Sequence, residues 1–410
     1  MSGFAPADLD ELREAINEAL AAEEPVELVA GGTKRELGRL LQLPRTLDLS
    51  PLTAIRDYQP SELVLTAAAA TRVGEIEAVI AANGQMLAFE PPDWGALLSL
   101  PEAAAQRRTL GGVLACNLSG PRRIKAGAAR DHFLGFRGIS GRGEIFKAGG
   151  KVVKNVTGYD LCKLMAGSYG TLAALEEVTV KVLPRPETVS TLLLCALDPT
   201  AAVHCLTRAL SSPHEISGAA YLPAASNSIL QSFSGPQGVV ALRLEGPAPS
   251  VVFRREKLMS ELAAGSETAV LEDGPSTTFW RGIRDVLPLV ELPDRVVWRV
   301  SVAPSRGAEL AETVADRLDA RWYLDWGGGL VWVAVAGADD GGAAVIRAAI
   351  RGTDGSGTGH ATLIKGSPAL RQTVLVFEPQ SAALAALAAR VKEAFDPRGI
   401  LNPGRIVEGQ

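Results

Sequence analysis

The chain has 410 residues, 47% of them hydrophobic, and a net charge of −5. That length exceeds a single core and predicts two or three domains, while the weakly acidic balance excludes a general affinity for nucleic acid or anionic membranes. The N-terminus, MSGFAPADLDELREAINEAL, carries acids where a leader peptide needs positive charge, and the longest apolar run, Gly327 to Ala338, falls short of the roughly 20 residues of a membrane span, so a cytoplasmic protein is expected. Cys116, Cys162, Cys195 and Cys205 lack the CxxC spacing of zinc or iron–sulfur sites and read as free thiols.

In chain order, apolar residues at helical spacing predict a helix over Leu9 to Ala21, stopped by Glu23-Glu24-Pro25. Short apolar runs at Val26 to Ala30, Thr46 to Leu49, Ala54 to Tyr58 and Leu63 to Ala67 read as strands, before a helix over Val73 to Ala82. Phe133 to Ser140, Glu144 to Gly150 and Leu175 to Leu183 read as further strands, with a helix near Asp160 to Ala166. Pro184-Arg185-Pro186 marks a hand-over between domains. Beyond it, strands at Thr191, Val239, Trp298, Gly329 and Thr362 alternate with helices starting at Ala201, Val251, Ala308 and Ala343, which predicts an α+β unit on an antiparallel or mixed sheet. A last helix, Ser381 to Phe395, precedes a turn-rich tail, DPRGILNPGRI.

One stretch departs from the average. Thr109 to Thr171 holds 13 of the 42 glycines in 63 residues, and Arg122 to Lys154 holds nine Arg or Lys against Asp131 and Glu144. Glycine at that density lets backbone approach a ligand closely, and local positive charge suits an anion such as a diphosphate. GGTKRELG, Gly31 to Gly38, follows a predicted strand and reads either as a ligand loop or as an ordinary turn. It is neither a P-loop nor GxGxxG. TLGGVLACNLSGPRRIKAGAARDHFLG, Thr109 to Gly135, reads as a ligand loop in preference to a solvated surface loop. GISGRG, Gly138 to Gly143, has the wrong order for a dinucleotide fingerprint and reads as a hairpin turn. In KNVTGYDLCKLMAGSYGTLAALEEVTV a helix ends at Gly167 and GSYGT turns into a strand, the glycines serving as caps or as ligand contacts.

These elements, with EPPDWG, GKVVKNVTGYDLCKL, DWGGGLVW, GHAT and FDPRGILNPGRI, resemble the FAD-binding oxidoreductases of the vanillyl-alcohol oxidase and p-cresol methylhydroxylase type, and within them the FAD-binding subunits of bacterial glycolate oxidase. The resemblance implies an α+β protein with a two-part FAD-binding domain over 1–188, an α+β cap over 189–395 and a tail over 396–410 that returns to the FAD domain. It implies FAD contacts from Gly31, Gly32, Thr33, Lys34 and Gly38, and from Thr109, Gly111, Gly112, Asn117, Ser119, Gly120, Arg130 and Asp131. Gly167, Ser168, Gly170, Thr171 and Leu172 match the family's GSEGTL turn, with Tyr169 and Ala173 in place of its Glu and Gly, and Asn402 lies in the returning tail. Lys34 and Arg35 stand where covalent members often carry histidine, so FAD is expected to be non-covalent.

Oxidising a small 2-hydroxy acid requires a cation for the carboxylate and a base for the hydroxyl proton. His360 is the best of the four histidines as base, and Arg299 heads the clamp candidates with Arg243, although a surface position is the ordinary reading for both arginines. His132 and His204 read as packing residues and His214 as a loop residue with nothing nearby to pair with it. Asp325-Trp326 before three glycines either shapes a flavin-facing pocket or belongs to the core. No metal triad is expected. The resemblance implies a catalytic flavin subunit and an iron–sulfur subunit as partners, and contact with the inner membrane only through them. The competing expectations are a self-sufficient D-lactate type dehydrogenase and a flavin-fold scaffold docking through Arg122, Arg123 and Lys125.

Overall fold

The computed structural model describes residues 3–150, 159–227, 229, 238–263, 267–352, 355 and 357–409. Lys151, Lys154 and the KVVKNVTG part of the third glycine motif lie outside the described residues.

Besides a two-stranded pair of Gln85–Met86 with Leu183–Pro184, three larger sheets organise the described residues. The first is small and parallel, with Arg45–Asp48 between Gly3–Phe4 and Val26–Val29. Helix Leu9–Ala22 covers it with Leu12, Ile16 and Ala19, starts on an Asp8 cap and ends where Glu23 turns left-handed at φ 54°. The second is a five-stranded antiparallel sheet in the order Ile55–Gln59, Val64–Ala68, Ala173–Lys181, Phe133–Ser140, Ile145–Gly149. GISGRG is the hairpin turn of its last pair, closed by the Gly143 N–H to Ser140 carbonyl bond of 3.0 Å. Apolar residues of helix Leu9–Ala22, Leu47, Ile139, Ala174 and Leu401 form one core that joins these two sheets.

The third sheet is entirely antiparallel and has eight strands, from Thr188–Leu197 to Gly359–Lys365. Side chains alternate between its faces with a period of two. Trp298, Val300, Leu363 and Val333 pack under helices Pro199–Leu210, Gly307–Ala315 and Ala343–Arg351. Val297, Trp332, Tyr323 and Ile364 face the other way, into the core shared with the first half of the chain. Arg299 pairs with Trp332 and Thr362, and Ser301 pairs with His360, so Arg299 and His360 share this second face.

Strands Gly218–Leu222, Thr268–Glu272 and Ala320–Asp325 and helix Asp273–Arg284 add to the predicted set. GAAYL is short and rich in small residues, so its strand is stabilised by neighbours on both sides.

The tail closes the molecule. Leu401 bridges Val26 in parallel, and the Asn402 N–H donates to the Val26 carbonyl at 3.1 Å. Lys392 is buried on helix Ala382–Phe395 and ties that helix to Asp396 at 2.6 Å, to the Thr171 carbonyl at 2.8 Å and to the Leu401 carbonyl at 3.0 Å.

Candidate functional site

The strand Val26–Val29 runs into Gly31–Gly38 with the backbone drawn tightly under Arg107. A Cβ at Gly31 would lie 1.6 Å from the Arg107 carbonyl oxygen, so only glycine fits. Gly32 follows at φ 73°, in the left-handed region, with open space where its side chain would be. The N–H groups of Gly31, Gly32, Thr33 and Lys34 donate to no acceptor among the described residues. Four successive free amides at a strand end form a concave anion-binding surface.

The loop is braced from behind by residues distant in sequence. Arg405 donates to the Arg35 carbonyl at 2.9 Å and to the Leu37 carbonyl at 3.3 Å, and is anchored by Glu27 at 3.0 Å. Buried Arg371 donates to the Gly38 carbonyl at 2.7 Å. Lys34 leans over the amides with Nζ 3.0 Å from Thr33 Oγ1. Burial pulls its ammonium down to about 8, the nearby Cys116 opposing that shift and Arg108 adding to it. The same desolvation pushes the Cys116 thiol up to about 11.

This loop forms one end of an open cleft between the small parallel sheet and the five-stranded sheet. Leu28, Leu49, Ala69, Ala70, Ala115, Ala173 and Leu175 supply apolar walls. Of the residues singled out in the sequence, Gly31, Gly32, Thr33, Lys34, Thr109, Gly111, Gly112, Gly170 and Asn402 line it. Asn402 joins its two ends by accepting from the Leu28 N–H at 2.8 Å and donating to the Tyr169 carbonyl at 2.9 Å.

The remaining candidates build the frame around the cleft. Asn117 Oδ1 accepts from the Arg130 N–H at 3.1 Å, Ser119 Oγ from the Ala129 N–H at 2.8 Å, and Asp131 Oδ2 from the Ala128 N–H at 2.9 Å. A Cβ at Gly120 would meet Glu90 and Arg284 within 3 Å, and Gly38 contacts Arg405. Gly167 donates to the Leu114 carbonyl at 3.2 Å, the Ser168 carbonyl accepts from the Thr171 hydroxyl at 2.7 Å, and Leu172 is buried. Part of the Thr109 to Gly135 segment, expected as a ligand loop, is helical. Leu110–Ala115 is a short helix capped by the Thr109 hydroxyl, and the Gly111 N–H is spent on the Ala69 carbonyl at 2.8 Å. Gly111 is required because a Cβ there would sit 2.7 Å from that oxygen.

Arg122 and Arg123 turn inward, which corrects the docking face expected of them with Lys125. Arg122 is bound to Glu90 at 3.0 Å and to Glu245 at 2.7 Å, and Arg123 lies over the Trp326 ring at 4.3 Å. Of Arg122, Arg123 and Lys125, only Lys125 is exposed, paired with Glu215 at 3.1 Å. Nor is Arg243 a surface residue. It is 2% exposed and donates to Glu90 at 2.8 Å, tying the cap to the first half of the chain. Arg299 is half-buried on the same face of the sheet, 4.8 Å from the Trp326 ring. Burial and then Arg123 pull its guanidinium down to about 10.

Two histidine readings also change. His204 is exposed on its helix, not packed, and His214 is buried with Glu261 at 3.1 Å instead of unpaired. His132 packs as expected, against Phe89, with Nε2 2.9 Å from the Ala126 carbonyl. His360, at the start of its strand, is held below the ordinary imidazole value by desolvation and then by Arg299. Among the described residues no group of three or more His, Cys, Asp or Glu is placed to hold a metal. Sequence reasoning missed Arg405, Cys116 and Arg123 as groups facing these sites. Arg405 is the one with a signal, in the turn-rich tail beside Asn402.

The cleft fits the dinucleotide expected of it: free amides and Lys34 for a diphosphate, and apolar walls for flat rings. Residues 4–149 match the FAD binding domain family, and residues 374–406 match the C-terminal domain of FAD linked oxidases. The glycolate oxidase subunit GlcE of Escherichia coli K12 is 35% identical over 396 residues, 96% of each chain. The 4-ethylphenol oxidase of Gulosibacter chungangensis superposes with a TM-score of 0.72 at 13% identity, over 99% of this chain and 89% of that one. p-Cresol methylhydroxylase superposes with a TM-score of 0.71 at 12% identity, over 99% of this chain and 88% of that one.

Proposed function

The chain belongs to the FAD-linked oxidases, in the branch that holds the glycolate oxidase subunit GlcE, with FAD as its cofactor, and from that premise we propose that it is the FAD-binding subunit of a glycolate-oxidising complex. The observation that carries this reading is the correspondence with GlcE over 96% of both chains. The free amides of Gly31 to Lys34, with Lys34 above them, would hold the diphosphate, and FAD is held without a covalent bond. When bound, FAD supplies an acceptor for the hydride that leaves the α-carbon of a 2-hydroxy acid. Arg299 would take the carboxylate and His360, kept neutral by its lowered affinity for protons, would accept the hydroxyl proton.

We infer a division into an FAD domain over 1–188, a cap over 189–395 and a returning tail over 396–410. The start of the third sheet at Thr188 and the Leu401 bridge to Val26 support it. Electrons pass to partner subunits, one of them an iron–sulfur protein beside a second flavin subunit. Among the described residues, no helix is long and apolar enough to cross a membrane, and contact with the inner membrane would run through those partners.

Acid precipitation of the purified chain should release all flavin into the supernatant; flavin that stays with the pellet overturns the non-covalent assignment. Glycolate should bleach the bound flavin when the partners are present. A second reading, turnover by this chain alone, is favoured by the shared face of Arg299 and His360, and steady reduction of an artificial acceptor by the isolated chain would select it.

A further inference from the structure

Trp326 is a bulky residue held at φ 51°, a conformation that ordinary side chains avoid. Its indole reaches across the domain boundary, where Nε1 donates to the Gly120 carbonyl at 3.2 Å. Two guanidiniums converge on that one ring, Arg123 from the first half of the chain at 4.3 Å and Arg299 from the cap strand at 4.8 Å. Both arginines are half-buried, and among the described residues neither guanidinium donates a hydrogen bond or forms an ion pair. The neighbouring buried carboxylate, Asp325, has Oδ1 occupied by the Trp326 N–H at 2.7 Å and pairs with neither arginine. Nearly all the other inward-facing arginines are satisfied: Arg122 and Arg243 by Glu90, Arg284 by Asp285, Arg405 by Glu27.

Two unneutralised cations held together away from water are unfavourable until an anion joins them. We propose that Arg123 and Arg299, on the shared indole of Trp326, form a two-guanidinium site for a small carboxylate that bridges the two halves of the chain. The planar fork of each guanidinium matches a carboxylate edge. His360 lies on the same sheet face as Arg299, so an acid seated here has an imidazole within the same group of residues. That the carboxylate belongs to the hydroxy acid substrate rests on the function proposed above; the anion site itself does not.

The test titrates the FAD-loaded full chain with oxalate, an inert dicarboxylate, by calorimetry and by tryptophan fluorescence. Arg123→Met and Arg299→Met should each weaken oxalate at least about tenfold, the loss of a charge-assisted contact. Lys125→Met, which removes the exposed cation next in sequence, should leave it unchanged. FAD content and the thermal midpoint should match the parent in all three. Oxalate binding at parental strength in either arginine variant, equal losses in all three, or no binding by the parent overturns the site. Where a methionine variant loses FAD, Arg123→Lys decides: it keeps charge and stem but loses the fork, and undiminished affinity refutes the role of Arg123. Oxalate bound through these arginines while glycolate fails to bleach the flavin with partners present retains the anion site and removes the glycolate assignment. The converse, bleaching with no effect of either arginine, removes the site and keeps the function.

Discussion

Gly112 lies in the first turn of helix Leu110–Ala115, where a built Cβ would sit 3.0 Å from Thr109 Oγ1 and 3.3 Å from Lys34 Cδ. Alanine fits if the Lys34 stem gives by a few tenths of an ångström. Valine adds two methyl groups about 1.5 Å further out, and they must displace either the Thr109 hydroxyl that caps the helix or the Lys34 stem. Losing the cap costs about 1 kcal/mol, much of it offset because glycine is itself about 0.5–1 kcal/mol poor in a helix, so the chain should still fold. Displacing Lys34 removes a charge-assisted contact worth about 1.5–3 kcal/mol, and FAD affinity should fall by about 10- to 100-fold. The assay is titration of FAD into apoprotein, followed by quenching of flavin fluorescence, on the parent, Gly112→Ala and Gly112→Val. Parental affinity and full flavin content in Gly112→Val would refute the placement of Lys34 over the diphosphate, whereas loss of fold would show that Thr109, not Lys34, gave way.

Three further outcomes follow from the same structure. Lys34 titrates near 8 in the empty cleft, so between pH 7 and 9 it loses its proton and its attraction for an anion; FAD binding should weaken across that range in the parent and stay flat in Lys34→Met, measured by the same titration. Asp325 is buried and raised to about 7, chiefly by desolvation. Its folded value lies above its unfolded one, so the folded state holds the extra proton and stability falls as pH rises from about 4 to 7, by at most about 4 kcal/mol. Asp325→Asn should therefore gain stability relative to the parent at pH 8 compared with pH 5 in urea denaturation, and equal differences at both would contradict this. Glu90→Gln leaves Arg243, 2% exposed, beside an uncharged partner; a loss of about 3–5 kcal/mol is expected on breaking a buried pair, and a loss under about 1 kcal/mol by the same denaturation would mean that Glu245 suffices.

Local signals placed most of the elements. The first helix, the two strands after it and the strands of the second sheet emerge from periodicity and from Gly or Pro punctuation, because each pattern is set by neighbours within a few residues. The glycine loop after Val29 was legible for the same reason, a strand end running into Gly-Gly. By contrast, nothing local shows that Gly111 and Gly120 must be glycine because Ala69, Glu90 and Arg284, distant in sequence, press against them.

The sequence by itself determined the class of the protein, the α+β alternation, the first glycine loop and the family to which the chain belongs, since these depend on local pattern and on motifs in order. Only the tertiary structure decided which charges are spent. Arg122 and Arg123 are adjacent, yet one is consumed by Glu90 and Glu245 while the other faces Trp326 without a counter-ion among the described residues. Arg243 and Arg299 both read as surface residues, and the period of two in the eight-stranded sheet turns both toward the domain boundary. Charge neutralisation depends on partners about 30 to 380 residues away, such as Glu90 for Arg122 and Arg405 for Glu27 on the strand before the loop, and no local pattern in a single chain encodes that proximity.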